Sequence, residues 1–353
     1  MRKIYLIRHA HPDFPLNAHV CLGRTDTPLG PLGRMQARLL AERLRGVELT
    51  AVFSSPLRRC RETAAALGRE IVIIDALAEQ DMGVWDGLDF DEIRLRWPEL
   101  YARRAIDPAL APPGAEGMEA VRQRVMPALY DCLEHSRGDI AVVAHAFVIQ
   151  AILAQLRGIP LGESRALRPP YTGCVLLGYD GALRQDIQAS LPEIPLTTAL
   201  AERLLEVAGP GERVTAHCRA VAAETQRLAQ ALPLTLDRET LAAAALLHDA
   251  ARSESGHARV GADWLRELGY DAAAALVEQH HDLRSETLDE AALLYLADKC
   301  VREDRRVALA ERFAESEKRC ASEEARAAHA RRRIAAERIR DQINALCGRR
   351  VVE

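Results

Sequence analysis

The sequence lacks three features that would place it in a special class of protein: paired cysteines, a long apolar run and a signal peptide. Its eight cysteines include no Cys-x-x-Cys pair and stand at positions 21, 60, 132, 174, 218, 300, 320 and 347. A chain of this size needs no disulfide framework, which favours reduced thiols in the cytosol. No run reaches the ~18 apolar residues of a membrane span, and MRKIYLIRHA (1–10) leads directly into a strand pattern without a cleavable leader. We therefore expect a cytoplasmic protein with no membrane partner.

An excess of positive charge is also missing. Lys and Arg total 47 against 51 Asp and Glu, which gives a formal net charge of −4. This balance provides no global basic field for nucleic acid, and glutamates are interleaved even with the basic cluster ARRRIAAERIR (330–340). Recognition of a partner must therefore be local, and nucleic acid is not expected as one.

The 353 residues are enough for two domains, since compact domains usually contain roughly 100–200 residues. Before about residue 190, β-branched runs alternate with helical patterns such as GRMQARLLAERL (33–44), RRCRETAAALG (58–68) and FVIQAILAQLRG (147–158). The predicted strands are KIYLI (3–7), AVFSS (51–55), EIVIID (70–75), DIAVVAH (139–145) and CVLLGYD (174–180). This alternation predicts a three-layer α/β sandwich over residues 1–188, with a mostly parallel sheet between layers of helices.

The strand signals stop at a proline-punctuated linker, residues 189–197. The following sequence is rich in Ala, Leu, Arg and Glu, which predicts an all-α bundle over 198–313 and a long charged helical tail over 314–353. Apolar positions near and within this tail are sparse, namely Val307, Leu309, Phe313, Ile334, Ile339, Ile343 and Leu346. Two interpretations remain open: a solvated helix packed along its own domain, or a helical seam that forms a homodimer.

Polar residues cluster at the ends of the predicted strands. Arg8 and His9 follow the first strand, SSPLRRCRET (54–63) the second, LAEQDMGVWDG (77–87) the third and AHAF (144–147) the fourth. In open α/β sheets, ligands bind at the carboxyl ends of the strands. Two arginines, two histidines and a glutamate at such an edge suit phosphoryl transfer. Arginines neutralise phosphate oxygens, a histidine can attack phosphorus and a protonated carboxyl can protonate the leaving group.

These motifs resemble those of the histidine phosphatase superfamily, which has the phosphoglycerate-mutase-like fold. LIRHA, SSPLRRCRET, LAEQDMGVWDG and VVAHAFVIQAIL occur in the family's order within residues 1–187. The resemblance implies a phosphomonoesterase that acts through a phosphohistidine and needs no metal. The site residues that it implies are the nucleophile His9, the proton donor Glu79 and the phosphate ligands Arg8, Arg59 and His145.

The loop after the nucleophile bears on the substrate. CLGRTDTPL (21–29) closely resembles the loop of the alpha-ribazole phosphatase branch, which implies alpha-ribazole 5'-phosphate or another small phosphorylated metabolite. Carried over by position, Arg24 and Thr25 approach the phosphate or the leaving group. Ala10 and Ala146 stand where many members of the family have glycine, but the added methyl groups remove no hydrogen-bond donor. A phosphosugar mutase would share these residues and is the alternative activity.

The helical half carries a second set of polar residues. Apolar helices present histidine and aspartate one or two at a time: His217, His248, Asp249, His257, His280, His281 and Asp298. A buried charge needs a partner or a metal, and imidazole with carboxylate suits Mn, Fe, Zn or Mg. An aspartate beside a histidine on one helix can bridge two ions. The pattern therefore predicts a divalent-metal site.

This half resembles the HD-domain superfamily of metal-dependent phosphohydrolases over residues 198–310. The H…HD…D series, with two further histidines in HARVGA and VEQHHDL, implies the metal ligands His217, His248, Asp249, His257, His280 and Asp298.

The substrate of the helical half is implied by the same resemblance. LADKCVREDRRVALAERF (296–313) is similar to HD units joined to nucleotidyltransferase-like domains, which implies a nucleotide-like phosphate ester. The lysine that usually follows the HD motif is missing, since the sequence here is HDAARSE (248–254). A regulatory domain that binds a nucleotide without hydrolysing it, and so controls the phosphatase, is the alternative.

Overall fold

The computed structural model describes residues 1–184 and 191–353 of the chain. The chain forms two compact units, Met1–Ile194 and Pro195–Glu353. The end of the predicted phosphatase domain at residue 188 and the start of the predicted linker at 189 lie outside the described residues. Within the described ranges, no helix is both long enough and apolar enough to cross a membrane.

A six-stranded mixed sheet forms the centre of the first unit. Its strands are β1 Arg2–Arg8, β2 Leu49–Ser54, β3 Ile71–Ile73, β4 Asp139–Ala144, β5 Cys174–Tyr179 and β6 Leu183–Arg184. The order across the sheet is β3-β2-β4-β1-β5-β6. Strands β1 to β4 run parallel, whereas β5 is antiparallel to β1 and β6 is antiparallel to β5. The predicted, mostly parallel sheet is confirmed.

Helices cover both faces of this sheet. Those on the faces are α1 Pro31–Arg43, α2 Arg58–Ala65, α5 Met118–Glu134 and α6 Ala146–Arg157, whereas α3 Phe90–Arg96 and α4 Pro98–Ile106 pack in a separate apolar cluster with Trp85. Successive β1 side chains point to opposite faces. Ile4 and Leu6 belong to the apolar cluster with α5 and α6, whereas Tyr5 and Ile7 belong to the cluster with α1 and α2. The predicted three-layer sandwich is therefore confirmed.

Three helices were not predicted, and one predicted strand is shorter than expected. Helices α3 and α4 are short and highly charged, and α5 contains Pro127, although its buried residues recur every three or four positions. The strand predicted over residues 70–75 ends at Ile73, where the edge strand β3 has only β2 as a neighbour. A 3-10 turn over Asp75–Leu77 follows it.

The second unit is a bundle of helices. They are α7 Thr198–Ala208, α8 Glu212–Ala231, α9 Arg238–Leu247, α10 His257–Glu267, α11 Asp271–Glu278, α12 Glu290–Cys300, α13 Leu309–Glu317 and α14 Glu323–Cys347. Helix α9 is buried from Leu241 to Leu247 and α12 from Ala291 to Cys300, so these two helices form its centre. The predicted helix-rich second part is confirmed.

The C-terminal segment is more structured than one charged helix. A small hairpin, β7 Val301–Arg302 with β8 Arg305–Arg306, interrupts a stretch that the sequence predicts as helical. The predicted boundary between residues 313 and 314 falls inside α13. Helix α14 buries Ile339 and Ile343 but leaves Ile334 66% exposed, so its second half packs on its own unit. The homodimer stays a prediction.

Candidate functional site

The parallel strands β1 and β4 place their carboxyl ends side by side. Arg8, the last residue of β1, is paired with Ala144, the last residue of β4, so that His9 and His145 leave the sheet together. The backbone N–H of His9 donates to the Ala144 carbonyl at 3.0 Å, and the centroids of the two imidazole rings lie 5.0 Å apart. Two residues that are distant in sequence are therefore brought together by strand pairing.

The surroundings of His9 leave one ring nitrogen without a proton. Its Nδ1 lies 2.8 Å from the Ala10 carbonyl oxygen, which can only accept, so Nδ1 carries the hydrogen. Nε2 then bears the lone pair, and the Arg59 Nε–H donates to it at 3.3 Å. Burial, followed by the charges of Arg59 and Arg8, holds the pKa of His9 well below its ordinary value. His9 is thus a neutral imidazole whose Nε2 faces Arg59.

Arg59 lies in the first turn of α2 and is fully buried. Its two terminal nitrogens donate to the carbonyls of Gly23 and Thr25, each at 2.8 Å, which leaves Nε directed at His9. The neighbouring Arg58 is exposed and pairs with a carboxylate of the same helix. Of the two arginines in the SSPLRRCRET motif, Arg59 is therefore the one that reaches the histidine.

Arg8 is a buried cation with an unused donor. One terminal nitrogen donates to the Pro169 carbonyl at 2.9 Å, and the guanidinium carbon lies 3.9 Å from the centroid of the Tyr171 ring. Its Nε is buried without a hydrogen-bond partner among the described residues. Burial and the nearby Arg168 lower the pKa of Arg8 to about 10, so it remains charged at neutral pH. A buried charge with a free donor fits a bound anion.

His145 is held by polar groups of β2 and α2. Its Nε2 lies 2.7 Å from the Ser55 hydroxyl oxygen and 3.3 Å from the Cys60 sulfur. Burial and then the charge of Arg59 hold the pKa of His145 well below its ordinary value. The second histidine is therefore also neutral, and it offers hydrogen bonding beside His9 without adding a charge.

Glu79 is a buried carboxyl near the amino end of α6. It follows the 3-10 turn after β3, and its two oxygens accept the backbone N–H groups of Gln80 at 2.9 Å and Phe147 at 3.3 Å. Burial raises the pKa of Glu79 above its ordinary value, although both N–H donors and the charges of Arg59 and Arg8 oppose the shift. A carboxyl with a raised pKa is suited to proton donation near neutral pH.

A cavity of about 230 Å³ opens over Arg8, His9 and Glu79. Trp85, from the LAEQDMGVWDG motif, belongs to an apolar cluster and also lines this cavity. The sequence motifs did not identify much of the remaining wall, which includes Phe90, Tyr101, Arg104, Arg165, Arg168 and Tyr171. These residues come from separate segments that no sequence spacing connects. The fully buried Arg59 and His145 do not line the open volume.

The loop that contains Arg24 and Thr25 is bound through its backbone. The N–H groups of Gly23, Arg24 and Thr25 donate to the Asp86 carboxylate at 2.8, 2.8 and 3.0 Å. The Arg24 side chain is half exposed and lies 3.6 Å from the Glu116 carboxylate. Neither Arg24 nor Thr25 is among the residues that line the cavity. Their approach to the phosphate or the leaving group stays a prediction.

The second unit gathers histidine and aspartate around the ends of its central helices. The contributing positions are His217 in α8, His248 and Asp249 after α9, His257 at the start of α10, His280 and His281 after α11, and Asp298 in the last turn of α12. Because α9 and α12 are buried along their length, the polar residues at their ends meet inside the bundle. The structure brings together all six residues that the sequence implies as ligands.

Two histidines of this group have a buried nitrogen without a partner. Nδ1 of His248 lies 2.8 Å from the Ala245 carbonyl, and Nδ1 of His280 lies 2.7 Å from the Val277 carbonyl. Their Nε2 atoms have no hydrogen-bond partner in the described part of the chain. A histidine that binds a metal typically uses its other nitrogen for such a carbonyl bond. Both rings are therefore oriented as metal ligands are.

Asp249 lies at the centre of the group. Two sets of ligand atoms, each set within 4.8 Å of one another, share it: His217, His248 and Asp249, and Asp249, His257, His280 and His281. His281 belongs to the polar residues of this half but not to the ligands that the resemblance implies, and its Nε2 lies 2.8 Å from Nε2 of His257. One carboxylate shared by two sets of imidazoles fits a pair of divalent cations.

Asp298 is an ionised carboxylate beside these sets. Its Oδ1 lies 3.1 Å from Nε2 of His217, and its Oδ2 accepts from Nζ of Lys299 at 2.6 Å. Burial would raise the pKa of Asp298, but the charge of Lys299 and the hydrogen bond with His217 hold it well below the ordinary value. The cluster of histidines and aspartates therefore contains a second negatively charged carboxylate besides that of Asp249.

Comparison with known proteins assigns each unit to a family. Residues 4–186 match the model of the histidine phosphatase superfamily (branch 1), and residues 214–303 match the model of the HD domain. A relative described as putative phosphoserine phosphatase 2, from Hydrogenobacter thermophilus, is 32% identical over 166 residues, or 46% of this chain and 81% of the relative. Probable phosphoglycerate mutase GpmB from Salmonella choleraesuis is 30% identical over 176 residues, or 48% of this chain and 80% of that protein.

Solved structures resemble the first half of the chain. The structure titled mycobacterial hydrolase 2 has a TM-score of 0.51 at 25% identity and covers 59% of this chain and 96% of its own. Mycobacterial hydrolase 1 has a TM-score of 0.50 at 26% identity and covers 55% of this chain and 99% of its own. The expected resemblances to the two families are confirmed.

Proposed function

The chain belongs to the histidine phosphatase superfamily, and we propose that its first unit hydrolyses small phosphate monoesters through a phosphohistidine. We also propose that its second unit, an HD domain, is a metal-dependent phosphohydrolase for a nucleotide-like phosphate ester. The observation that carries the first proposal is a neutral, buried His9 whose Nε2 faces Arg59. The shared carboxylate of Asp249 carries the second.

In the first step of the monoesterase, the lone pair of His9 Nε2 attacks the phosphorus atom. The bond between phosphorus and the leaving oxygen breaks, and the Glu79 carboxyl gives its proton to that oxygen. The raised pKa of Glu79 supports this role. Arg8 and Arg59 neutralise the phosphoryl oxygens, a role that the unpaired Nε of Arg8 supports. The free alcohol and a phosphorylated His9 result.

In the second step, water attacks the phosphorus atom of phosphorylated His9. The Glu79 carboxylate takes one proton from this water, and the bond between phosphorus and Nε2 breaks. Inorganic phosphate leaves, and both His9 and Glu79 regain their starting protonation. Each cycle consumes one ester and one water molecule.

The cavity walls support a small substrate with an aromatic or apolar portion. The volume of about 230 Å³ suits a leaving group of modest size, and the rings of Phe90, Tyr101 and Phe147 offer flat apolar contacts. Alpha-ribazole 5'-phosphate combines a ribose phosphate with an aromatic base. The cavity and the likeness of the CLGRTDTPL loop together support it, or another small phosphorylated metabolite, as the substrate.

In the second unit, the donor set supports Mn, Fe, Zn or Mg as the cofactor. The residues that would hold it are His217, His248, Asp249, His257, His280 and Asp298, with His281 added by the geometry. A divalent cation supplies Lewis acidity toward phosphate oxygens and water. The carbonyl bonds of His248 and His280 keep their Nε2 atoms directed at the centre, and Asp249 and Asp298 supply negative charge.

Phosphate release from a panel of phosphorylated metabolites, with and without EDTA, tests both proposals. His9→Ala is expected to lower the chelator-resistant activity by several orders of magnitude, because the covalent route is lost. Asp249→Ala is expected to remove only the chelator-sensitive activity. The matched control is His135→Ala, which changes an exposed histidine at the end of α5.

Two results would refute these proposals separately. Near-normal chelator-resistant turnover of p-nitrophenyl phosphate by His9→Ala would refute the phosphohistidine route. An absence of chelator-sensitive hydrolysis across the panel, in protein shown to be metal-loaded, would refute the hydrolytic role of the second unit and favour nucleotide binding alone.

A further inference from the structure

The cavity beside the His/Asp cluster is built partly by residues outside the recognised HD domain. Its volume is about 680 Å³, against about 230 Å³ for the cavity in the first unit. His217, Asp249 and Asp298 of the cluster line it. Another part of the wall follows residue 303, where the HD match ends, and comes from α13, α14 and their connection: Arg312, Phe313, Ser316, Arg319, His329 and Arg332. The C-terminal helices therefore contribute to the metal-site cavity.

Positive charge dominates this cavity. Its lining contains six arginines and one lysine against four carboxylates, and the histidines of the cluster are not counted in either total. Four of the arginines have an acidic partner: Arg213 with Glu303, Arg252 with Asp249, Arg302 with Glu315 and Arg332 with Asp282. Divalent cations at the cluster would increase the positive charge further. The cavity is therefore suited to a ligand with several negative charges.

Two of the lining arginines, Arg312 and Arg319, are not part of an ion pair among the described residues. Neither has an ion-pair partner within 4.0 Å in the described ranges 1–184 and 191–353. The charges of both arginines act on the Glu315 carboxylate, but that carboxylate is bound directly by Arg302 at 2.7 Å. The Nε of Arg312 is buried and has no hydrogen-bond partner among the described residues. An unpaired guanidinium donor in a cavity wall fits an oxyanion.

We propose that Arg312 and Arg319 hold the distal phosphates of an oligophosphate ligand whose reacting phosphoryl group lies at the His/Asp cluster. This rests on the phosphohydrolase function proposed for the second unit. A single phosphate bound at the His/Asp cluster would make no ion pair with Arg312 or Arg319. A chain of phosphates has further negatively charged groups along the cavity wall, where these two arginines can bind them. The C-terminal helices thus select for the length of the phosphate chain.

Binding of inorganic tripolyphosphate and of orthophosphate to the full-length chain tests this proposal by isothermal titration calorimetry. All proteins carry Arg8→Ala, so that the cavity of the first unit contributes little, and each is titrated both metal-free and loaded with Mn. Arg319→Ala is expected to weaken tripolyphosphate binding roughly tenfold or more, as the loss of a charge-assisted contact does. Orthophosphate binding to the Mn-loaded protein is expected to change less than about twofold, because one phosphate does not reach Arg319.

Two further variants complete the experiment. Arg312→Lys keeps the charge but not the forked donors, and it is expected to weaken tripolyphosphate binding without the folding risk of removing a partly buried side chain. Arg326→Ala removes an exposed arginine of α14 that does not line the cavity, and it is expected to change nothing. Equal tripolyphosphate affinity in Arg319→Ala, Arg326→Ala and the parent would overturn the proposal, as would an equal loss of orthophosphate and tripolyphosphate binding.

Failure of this proposal differs from failure of the proposed hydrolase function. If tripolyphosphate binds in an Arg319-dependent manner but is not hydrolysed, and no nucleotide is hydrolysed either, the oligophosphate site stands and the hydrolase function falls. If chelator-sensitive hydrolysis has the same rate and KM in the parent and in Arg319→Ala, the hydrolase function is supported and the oligophosphate site is refuted.

Discussion

The two central groups of the first unit, His9 and Glu79, are prepared by the same physical cause acting in opposite directions. Burial disfavours the charged form of each. It lowers the pKa of His9, which favours the neutral imidazole, and it raises the pKa of Glu79, which favours the protonated carboxyl. These are the forms that the proposed first chemical step requires.

These shifts predict a bell-shaped dependence of kcat/KM on pH. Activity is expected to fall at acid pH as His9 gains a proton, at a pH below the ordinary histidine pKa. It is expected to fall again at higher pH as Glu79 loses its proton, at a pH above the ordinary glutamate pKa. Glu79→Gln is expected to eliminate the upper limb that belongs to Glu79. Stopped assays of phosphate release from an alkyl phosphate, from pH 4 to 9, measure both limbs, because its leaving oxygen needs the proton; the substrate's own ionisation affects the two proteins alike.

A comparison of two substrates with different leaving groups provides the control for the proposed role of Glu79 as proton donor. Glu79→Gln is expected to slow an alkyl phosphate, whose leaving oxygen needs a proton, roughly 10²-fold or more, and p-nitrophenyl phosphate much less. An equal loss with both substrates, or an unchanged upper limb, would show that Glu79 does not donate the proton.

The residues that the sequence could identify are those tied to a strand end or to a short motif. His9 and His145 follow adjacent strands, so strand pairing alone brings them together. Arg168 and Tyr171, which the sequence did not identify, reach the same cavity from a loop. His281 was noted in the sequence, but the turn after α11 is what adds it to the ligand set. Loop geometry depends on packing that no local pattern encodes.

At the scale of secondary structure elements, the predicted strands and helices follow from apolar periodicity. Apolar periodicity indicates which face of a strand or helix is buried and approximately where the element ends. It was sufficient to predict β1, β4 and α6. Helix α5 was not predicted although its buried residues recur every three or four positions, because Pro127 lies inside it. Periodicity could not reveal the hairpin β7–β8, whose strands have two residues each.

Helix α14 provides a stability prediction at this scale. Ile339→Ala is expected to lower the free energy of unfolding by about 2–5 kcal/mol, because Ile339 is fully buried where the second half of the helix packs. The same change at Ile334, which is 66% exposed on the same helix, is expected to cost about 0.5 kcal/mol or less. Urea unfolding of the full-length chain, followed by circular dichroism, compares them. Similar losses at the two positions would mean that the helix does not pack through its second half.

At the scale of the whole molecule, the two proposed sites differ in the groups available to neutralise phosphate. The first unit has buried arginines and neutral histidines, and the second has a cluster suited to divalent cations. Metal removal is therefore expected to separate the two proposed activities in the intact chain. Metal is expected to stabilise the fold of the second unit and not that of the first.

Metal content and melting temperature test that dependence. Protein expressed with supplementary Mn, Fe or Zn is expected to carry one or two divalent cations per chain. Added metal is expected to raise the melting temperature of the second unit by about 5–10 °C at roughly 100 times Kd. Asp249→Ala is expected to abolish this shift, whereas Asp341→Ala, which removes an exposed carboxylate of α14, is expected to keep it. Elemental analysis far below one equivalent, with no thermal shift, would contradict a metal centre.

Because residues 23–25 are held by backbone hydrogen bonds, the side chains at positions 24 and 25 can change during evolution. Asp86 accepts their N–H groups, and Arg59 donates to the carbonyls of Gly23 and Thr25. Every residue has a carbonyl, and every residue except proline has an N–H, so these bonds do not depend on which side chains stand at positions 24 and 25. Mutations there can accumulate without moving Arg59. The sequence of this loop can therefore vary at positions 24 and 25 while Arg59 keeps its place beside His9.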